Sequence, residues 1–181
     1  RSTDFITPKS EVSHVFRDAT LLLAEDYPFA RSLVNSGRLS LPAIYKNSSL
    51  NTPDEETFNS CMVPGQPSTD APVNGTQWFL RTIGNHRFNG LYFPQSKGEL
   101  SAEEQEILKL LAANEIPIYS WVVDLNQADN SSKTIQPMED SKGLLAKRFD
   151  AKPGSFYLFR PDQHLASRWR SLDFNRVQKA L

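Results

Sequence analysis

Two short runs without a polar face constrain the fold of this chain more than any other feature. FNGLYF (88–93) ends at Pro94, and FYLF (156–159) is followed by the turn sequence Arg160-Pro161-Asp162-Gln163. Short apolar runs bounded by turn residues are typical of strands that are covered on both sides. They therefore predict two central strands of a sheet that has helices packed on both of its faces.

Helix and strand signals alternate around these two runs. A capping box at Ser101-x-x-Glu104 precedes an apolar helical stripe, and IYSWVVD (118–124) has the β-branched and aromatic composition of a strand. The remaining signals predict a helix over 140–149, a strand at HLASRWR (164–170) and a last helix that Ser171 caps. The resulting order is strand, helix, strand, helix, strand, strand, helix.

This order predicts an α/β fold with a central four-stranded mixed sheet. The first two strands, joined through a helix, should be parallel, and the last two, joined by a tight turn, antiparallel. IYSWVVD and HLASRWR would then flank the two central strands, as in the thioredoxin architecture. Alternation in HLASRWR predicts an edge strand with Leu165 and Trp169 on one face and His164, Arg168 and Arg170 on the other.

The sequence before this sheet divides into two parts. Residues 1–40 predict a helical extension, with one helix that starts at Thr7-Pro8 and a second that ends at Gly37. Residues 41–64 are rich in proline, asparagine, serine and threonine and predict a connector, in which Thr52 to Glu56 indicates one helix start. The thioredoxin-like domain should then occupy residues 65–181.

Composition narrows the class of protein. The chain is 39% hydrophobic and 23% charged with a net charge of −1, which argues against nucleic acid and anionic membranes as partners. It has no apolar run of membrane-spanning length and no signal peptide at its start, so we expect a cytoplasmic protein. The first residue is Arg1 and not methionine, which suggests a segment of a longer protein.

The single cysteine, Cys61, leaves no internal disulfide and no CxxC motif. A thioredoxin-fold enzyme would carry its reactive cysteine after the first core strand, at the start of the next helix, where this chain has Pro94 to Gly98. Cys61 lies in the predicted connector, and its role is open. The chain also lacks a GxGxxG or GxxxxGK[ST] motif and any histidine spacing typical of a metal site.

Asp162, His164 and Ser167 are the residue types of a hydrolytic triad. On an extended strand, however, His164 and Ser167 would point to opposite faces. We therefore predict that Asp162 stabilises the turn and that Arg160 and Arg168 form surface ion pairs or contact another domain. No catalytic, cofactor-binding or metal-binding residue is predicted. The candidates for a structural or domain-contact role are Arg38, Arg160, Asp162, His164, Arg168 and Trp169.

Three motifs in this order resemble one enzyme family: PFARSLVNSGRLS (28–40), VPGQPSTDAPV (63–73) and RPDQHLASRWR (160–170). They are similar to the C-terminal region of FAD-dependent aromatic-ring hydroxylases of the phenol hydroxylase and 3-(3-hydroxyphenyl)propionate hydroxylase type. The resemblance covers essentially the whole chain. It implies that residues 1–40 end the catalytic part of the enzyme and that the rest is a thioredoxin-like domain without the thioredoxin cysteines.

The resemblance also implies a division of labour. FAD, NAD(P)H and the aromatic substrate would be bound by upstream domains, while this region would bind no cofactor and would contribute to a homodimer contact. The expected function is an accessory or dimerisation domain that is not catalytic by itself. Two alternatives remain open. PGQPSTDAPV (64–73) also resembles the start of a peroxiredoxin, so the chain could be an independent enzyme using Cys61, and a stand-alone protein-binding module is the other.

Overall fold

The structure, a computed structural model, describes residue 5 and residues 7–34, 42–60, 62–126 and 133–181. The chain divides into two compact units, Arg1–Pro42 and Ala43–Leu181. No helix among the described residues is both long enough and apolar enough to span a lipid bilayer.

The first unit contains two helices, α1 (Glu11–Asp26) and α2 (Pro28–Val34). Ser10 caps α1 by accepting a hydrogen bond from the backbone N–H of Ser13 at 3.3 Å, so the predicted start at Thr7 is wrong. The predicted helix end at Gly37 lies outside the described residues. The apolar stripe of α1 is largely exposed, since Val12 and Phe16 keep 79% and 65% of their surface. Among the described residues of this unit, none covers the stripe.

The second unit is built around a five-stranded mixed sheet. A small hairpin precedes that sheet and is formed by β1 (Pro72–Val73) and β2 (Gln77–Trp78). The sheet strands are β3 (Phe88–Tyr92), β4 (Ile118–Val123), β5 (Ile135–Met138), β6 (Phe156–Phe159) and β7 (Leu165–Trp169). The helices are α3 (Phe79–Ile83), α4 (Ala102–Ala112), α5 (Leu144–Phe149) and α6 (Phe174–Lys179).

The strand order is β5-β4-β3-β6-β7, with β3, β4 and β5 parallel and β6 and β7 antiparallel to their neighbours. The four predicted strands thus lie in the predicted order and directions. The prediction of only four strands is wrong, because β5 pairs with the outer side of β4. A proline in β5, Pro137, is tolerated because strands at a sheet edge can lack a ladder N–H.

Each face of the sheet has its own core. One core includes Phe79 of α3 and Phe149 of α5, and the other includes Leu108 of α4 and Val177 of α6. All four residues of β6 are buried, which agrees with the absence of a polar face in FYLF. The predicted capping box at Ser101 is present, but the last helix is capped by Asp173 and not by Ser171.

A β-bulge corrects the predicted faces of β7. Trp169 pairs with Phe156 and Leu165 pairs with Phe159, which leaves Ala166 as the extra residue. Because the bulge shifts the alternation, Leu165 packs in one core and Trp169 in the other. The prediction that these two side chains share a face is therefore wrong.

Candidate functional site

The start of α4 is the position at which a thioredoxin-fold enzyme would carry its thiol. In this chain the carboxylate of Glu104 occupies it. Its Oε2 accepts a hydrogen bond from the Ser101 N–H at 2.6 Å, and its Oε1 accepts from the Gln95 N–H at 3.1 Å and from the Tyr92 hydroxyl. The residues from Pro94 to Ser101 include no cysteine.

These contacts shift the pKa values of Glu104 and Tyr92 in opposite directions. Burial alone would raise the pKa of Glu104, but the hydrogen bonds from Tyr92, Ser101 and Gln95 outweigh it and hold the pKa below its ordinary value. Burial and the neighbouring carboxylate raise the pKa of the Tyr92 phenol. The carboxylate of Glu104 thus caps the amino end of α4.

The predicted turn after β6 brings Arg160, Asp162 and His164 together. Asp162 forms an ion pair with the Arg160 guanidinium and accepts the His164 N–H at 3.2 Å, as predicted for a turn-stabilising aspartate. Its other close neighbour is the His164 ring, whose Nδ1 lies 3.3 Å from Oδ1. Burial alone would raise the pKa of Asp162, but the hydrogen bonds from the Arg160 guanidinium and the His164 N–H hold this pKa below its ordinary value.

The turn does not form a hydrolytic triad. Ser167 pairs with Leu158 in the sheet, is 1% exposed, and its hydroxyl has no hydrogen-bond partner among the described residues. The His164 ring instead packs against the ring of Tyr45, with 5.5 Å between the two ring centroids. The predicted reason, opposite faces of a regular strand, does not hold, because the bulge at Ala166 lies between His164 and Ser167. What excludes the triad is that the buried Ser167 hydroxyl makes no hydrogen bond to the histidine.

Arg168 is the main correction among the candidate residues. It was predicted to lie at the surface, yet its side chain is 2% exposed. Its Nε and Nη2 donate to the two carboxylate oxygens of Asp54 at 2.8 and 2.7 Å, and its Nη1 donates to Ser60 Oγ at 2.8 Å. This pair was not predicted, because the local pattern from Thr52 to Glu56 is that of a helix start, whereas residues 51–60 contain no helix.

Residues 54–60, which we call the strap, run beside β7 and are fixed by a second arginine. The Arg170 backbone N–H donates to Glu56 Oε2 at 2.7 Å, and its guanidinium binds Asp150. The guanidinium carbons of Arg168 and Arg170 lie over the Phe58 ring, 4.1 and 3.8 Å from its centroid. The hydrogen bond from the Asn59 N–H is the main cause that holds the pKa of Asp150 below its ordinary value. The hydrogen bond from the Arg170 guanidinium is the second cause.

The strap and its neighbours also cover the backbone edge of β7. The Thr52 N–H donates to the Ala166 carbonyl at 3.0 Å, and the Gly65 N–H donates to the Leu165 carbonyl at 2.7 Å. The prediction of a solvent-facing edge strand is therefore wrong, because all five residues of β7 are buried. The sequence contains one indication that residues 54–56 pack against β7. It is the acidic run at 54–56 together with the three arginines after residue 167.

The remaining candidates have simpler outcomes. Trp169 is 2% exposed and stacks on Phe156 at 6.3 Å, so it is a core residue. Arg38 and Cys61 lie outside the described residues. Among the described residues, no group of three histidine, cysteine, aspartate or glutamate side chains could hold a metal ion.

The described residues of the second unit form the walls of two clefts. One of about 430 Å³ lies at the carboxyl ends of β3, β4 and β5, where Lys97, Asn126 and Glu139 line it. This is the usual ligand position in parallel sheets. The other, of about 440 Å³, lies at the amino end of β3, beside Phe88 and Arg160.

The fold is shared with parts of longer proteins. The chain is similar to the flavin-dependent monooxygenase PieE, solved with FAD and substrate, at 18% identity and a TM-score of 0.59, over 98% of this chain and 30% of that one. It is also similar to aklavinone-11 hydroxylase, solved with FAD and aklavinone, at 17% identity and a TM-score of 0.52, over 87% of this chain and 30% of that one.

A third similar structure is RebC with bound 7-carboxy-K252c, at 16% identity and a TM-score of 0.51, over 97% of this chain and 30% of that one. No protein-family model matches the sequence, and no curated protein matches it. The chain thus spans about a third of the length of the solved structures described here. At this level of identity the likeness shows a common fold.

Proposed function

We propose that this chain is the C-terminal accessory and dimerisation domain of a cytoplasmic FAD- and NAD(P)H-dependent monooxygenase that hydroxylates phenolic rings. Its second unit is a thioredoxin-like domain that has no thiol chemistry, and its first unit ends the catalytic part of the parent enzyme. The chain by itself binds no flavin and catalyses no reaction.

One observation carries this proposal: 98% of the chain overlays on about a third of a flavin-dependent monooxygenase. Two features of the chain support it. The position of a thioredoxin thiol is occupied by the Glu104 carboxylate, so the sheet has no nucleophile there. The exposed stripe of α1 offers an apolar surface to a neighbouring domain or subunit, and apolar patches of this kind mark interaction sites.

Flavin titration tests the accessory role. We expect the purified 181-residue chain to be colourless and to leave the absorbance and fluorescence of added FAD unchanged, because it has no GxGxxG cradle for a dinucleotide. A yellow protein that retains one FAD per chain after gel filtration would contradict the proposal. Sequencing the reading frame upstream of Arg1 gives an independent test, since the parent enzyme requires a GxGxxG motif several hundred residues earlier.

Peroxide turnover tests the main alternative. A peroxiredoxin-like enzyme would consume hydrogen peroxide in the presence of a thiol reductant, and Cys61→Ser would abolish that activity. We expect the wild-type chain and Cys61→Ser to show the same rate as buffer alone. Turnover that depends on Cys61 would replace the accessory role with an enzymatic one.

A further inference from the structure

The sequence contains two Asn-Gly pairs, Asn74-Gly75 and Asn89-Gly90. In such a pair the side-chain amide of the asparagine can react with the backbone nitrogen of the next residue, because glycine has no Cβ that shields this nitrogen. The two pairs consist of the same residue types, so a difference in their reactivity must come mainly from the fold.

The fold places the two pairs in opposite surroundings. Asn74 and Gly75 lie in the turn between β1 and β2, with φ of 48° and 75°, and Gly75 is exposed. Asn89 is 0% exposed in the central strand β3, where its side chain donates to the Arg87 carbonyl at 3.0 Å and accepts from Trp121 Nε1 at 3.2 Å. Solvent therefore reaches the first pair and not the second.

The side-chain amide of Asn74 is oriented and polarised by its neighbours. Its Oδ1 accepts a hydrogen bond from the Glu139 N–H at 2.8 Å, and its Nδ2 donates to Gln77 Oε1 at 3.0 Å. A donor at the amide oxygen stabilises the negative charge that forms there when a nucleophile adds to the amide carbon. The Gly75 N–H donates no hydrogen bond to any of the described residues, so the attacking nitrogen is not engaged elsewhere.

We propose that Asn74-Gly75 is a site of spontaneous deamidation and isoaspartate formation in the folded protein. The Gly75 nitrogen passes its proton to the solvent and bonds to Asn74 Cγ, while Nδ2 takes up a proton and leaves as ammonia, which gives a succinimide. Water then adds to the succinimide and breaks one of its two C–N bonds. Opening at Cγ gives aspartate, and opening at the backbone carbonyl gives isoaspartate. The reaction needs no oxidant and no reactant other than water.

The modification changes the turn and the cleft beside it. Aspartate at position 74 places a carboxylate next to Gln77 Oε1, where the amide donated a hydrogen bond, and adds a negative charge to a cleft that Asp124 and Glu139 also line. Isoaspartate adds one carbon atom to the main chain of the turn and so disturbs the pairing of Val73 with Gln77. This site goes beyond the accessory role proposed above, because it depends on neither a flavin nor a partner subunit.

Peptide mapping by mass spectrometry tests this inference after incubation of the 181-residue chain at mildly alkaline pH. We expect the peptide that contains Asn74 to gain about one mass unit and to accept a methyl group from a protein isoaspartate methyltransferase. The peptide that contains Asn89 should react more slowly by about tenfold or more, because its reaction requires the central strand to open. In concentrated urea the fold is lost, and the two rates should converge.

Gly75→Ala should slow the reaction at Asn74 by about tenfold or more, because the new methyl group shields the attacking nitrogen. No atom lies within 4 Å of that methyl group. Gly143→Ala is the matched control, since Gly143 also has a positive φ, 62°, and the same open space, but it follows a lysine. This control should react at the wild-type rate.

Three results would overturn the proposal. The first is equal rates at Asn74 and Asn89 in the folded wild type, and the second is isoaspartate at Asn74 in urea but not in the folded chain. The third is equal slowing by Gly75→Ala and Gly143→Ala. The comparison of the two pairs uses the wild-type chain alone, so it decides the question even if a variant fails to fold.

Discussion

Removing the carboxylate of Asp54 should destabilise the second unit far more than its place in an irregular segment suggests. Asp54→Ala deletes two charge-assisted hydrogen bonds, at 2.8 and 2.7 Å, from an arginine whose side chain is 2% exposed. Water has little access to Arg168 and cannot replace them. The variant therefore leaves a buried cation without a counter-ion, which is one of the costly classes of substitution.

The magnitude follows from these contacts. Breaking a buried ion pair by removing one partner costs about 3–5 kcal/mol. Asp54 is itself 26% exposed, and Arg168 keeps the hydrogen bond to Ser60 Oγ and the contact with Phe58, so we expect about 2–4 kcal/mol. The next residue is a matched control: Glu55 is 60% exposed and lies 3.5 Å from Arg176, so Glu55→Ala should cost about 0–1 kcal/mol.

Urea unfolding followed by tryptophan fluorescence measures both variants. All three tryptophans lie in Ala43–Leu181, so the signal reports the second unit alone. With a slope of about 2 kcal/mol per molar urea, Asp54→Ala should lower the midpoint by about 1–2 M, and Glu55→Ala by about 0.5 M or less. Equal shifts for the two variants would refute the reasoning, because they would mean that the burial of Arg168 adds nothing to the pair.

Three further predictions concern pH, packing and the α1 stripe. The depressed pKa of Glu104 contributes stability that is present above its unfolded value of about 4.3 and lost as pH falls through the folded value. Glu104→Gln should therefore flatten the fall of the urea midpoint below about pH 4.5, whereas Glu103→Gln, at an exposed position, should follow the wild type. Gly90→Ala should cost about 1–3 kcal/mol in the same assay, because its new methyl group would lie 2.6 Å from the Phe156 ring; an unchanged midpoint would mean that this ring moves freely. Phe16→Asp should leave the fluorescence midpoint unchanged and lower self-association in sedimentation velocity, because Phe16 is 65% exposed on an apolar stripe.

Features encoded by neighbours in sequence were predictable, and features encoded by distant pairs were not. The capping box of α4 and the turn around Asp162 involve residues within a few positions, so local patterns were sufficient to predict them. The acidic run from Asp54 has the same local pattern as a helix start, and only the arginine 114 residues later distinguishes it from one. The sequence shows opposite charges at 54–56 and after residue 167, but it does not show which of these residues pair.

Within the sheet, strand β5 and the bulge in β7 were also not predictable from the local sequence. Ile135–Met138 is short and contains a proline, so its composition argues against a strand until β4 is seen to pair with it. The bulge at Ala166 changes no residue type, yet it reverses the face of every residue before it. The candidate site was affected for the same reason, since Arg168 could not be recognised as buried before the strap was placed over it.

The strap has a practical consequence for where this protein can be cut. A truncated chain that starts at residue 65 would lose Thr52, Asp54 and Glu56, and so leave the Ala166 carbonyl, the Arg168 guanidinium and the Arg170 N–H without these partners. Unpaired backbone groups at a sheet edge favour pairing with another copy of the chain. Expression trials should therefore begin at or before residue 43, so that the sheet keeps the segment that prevents its own polymerisation.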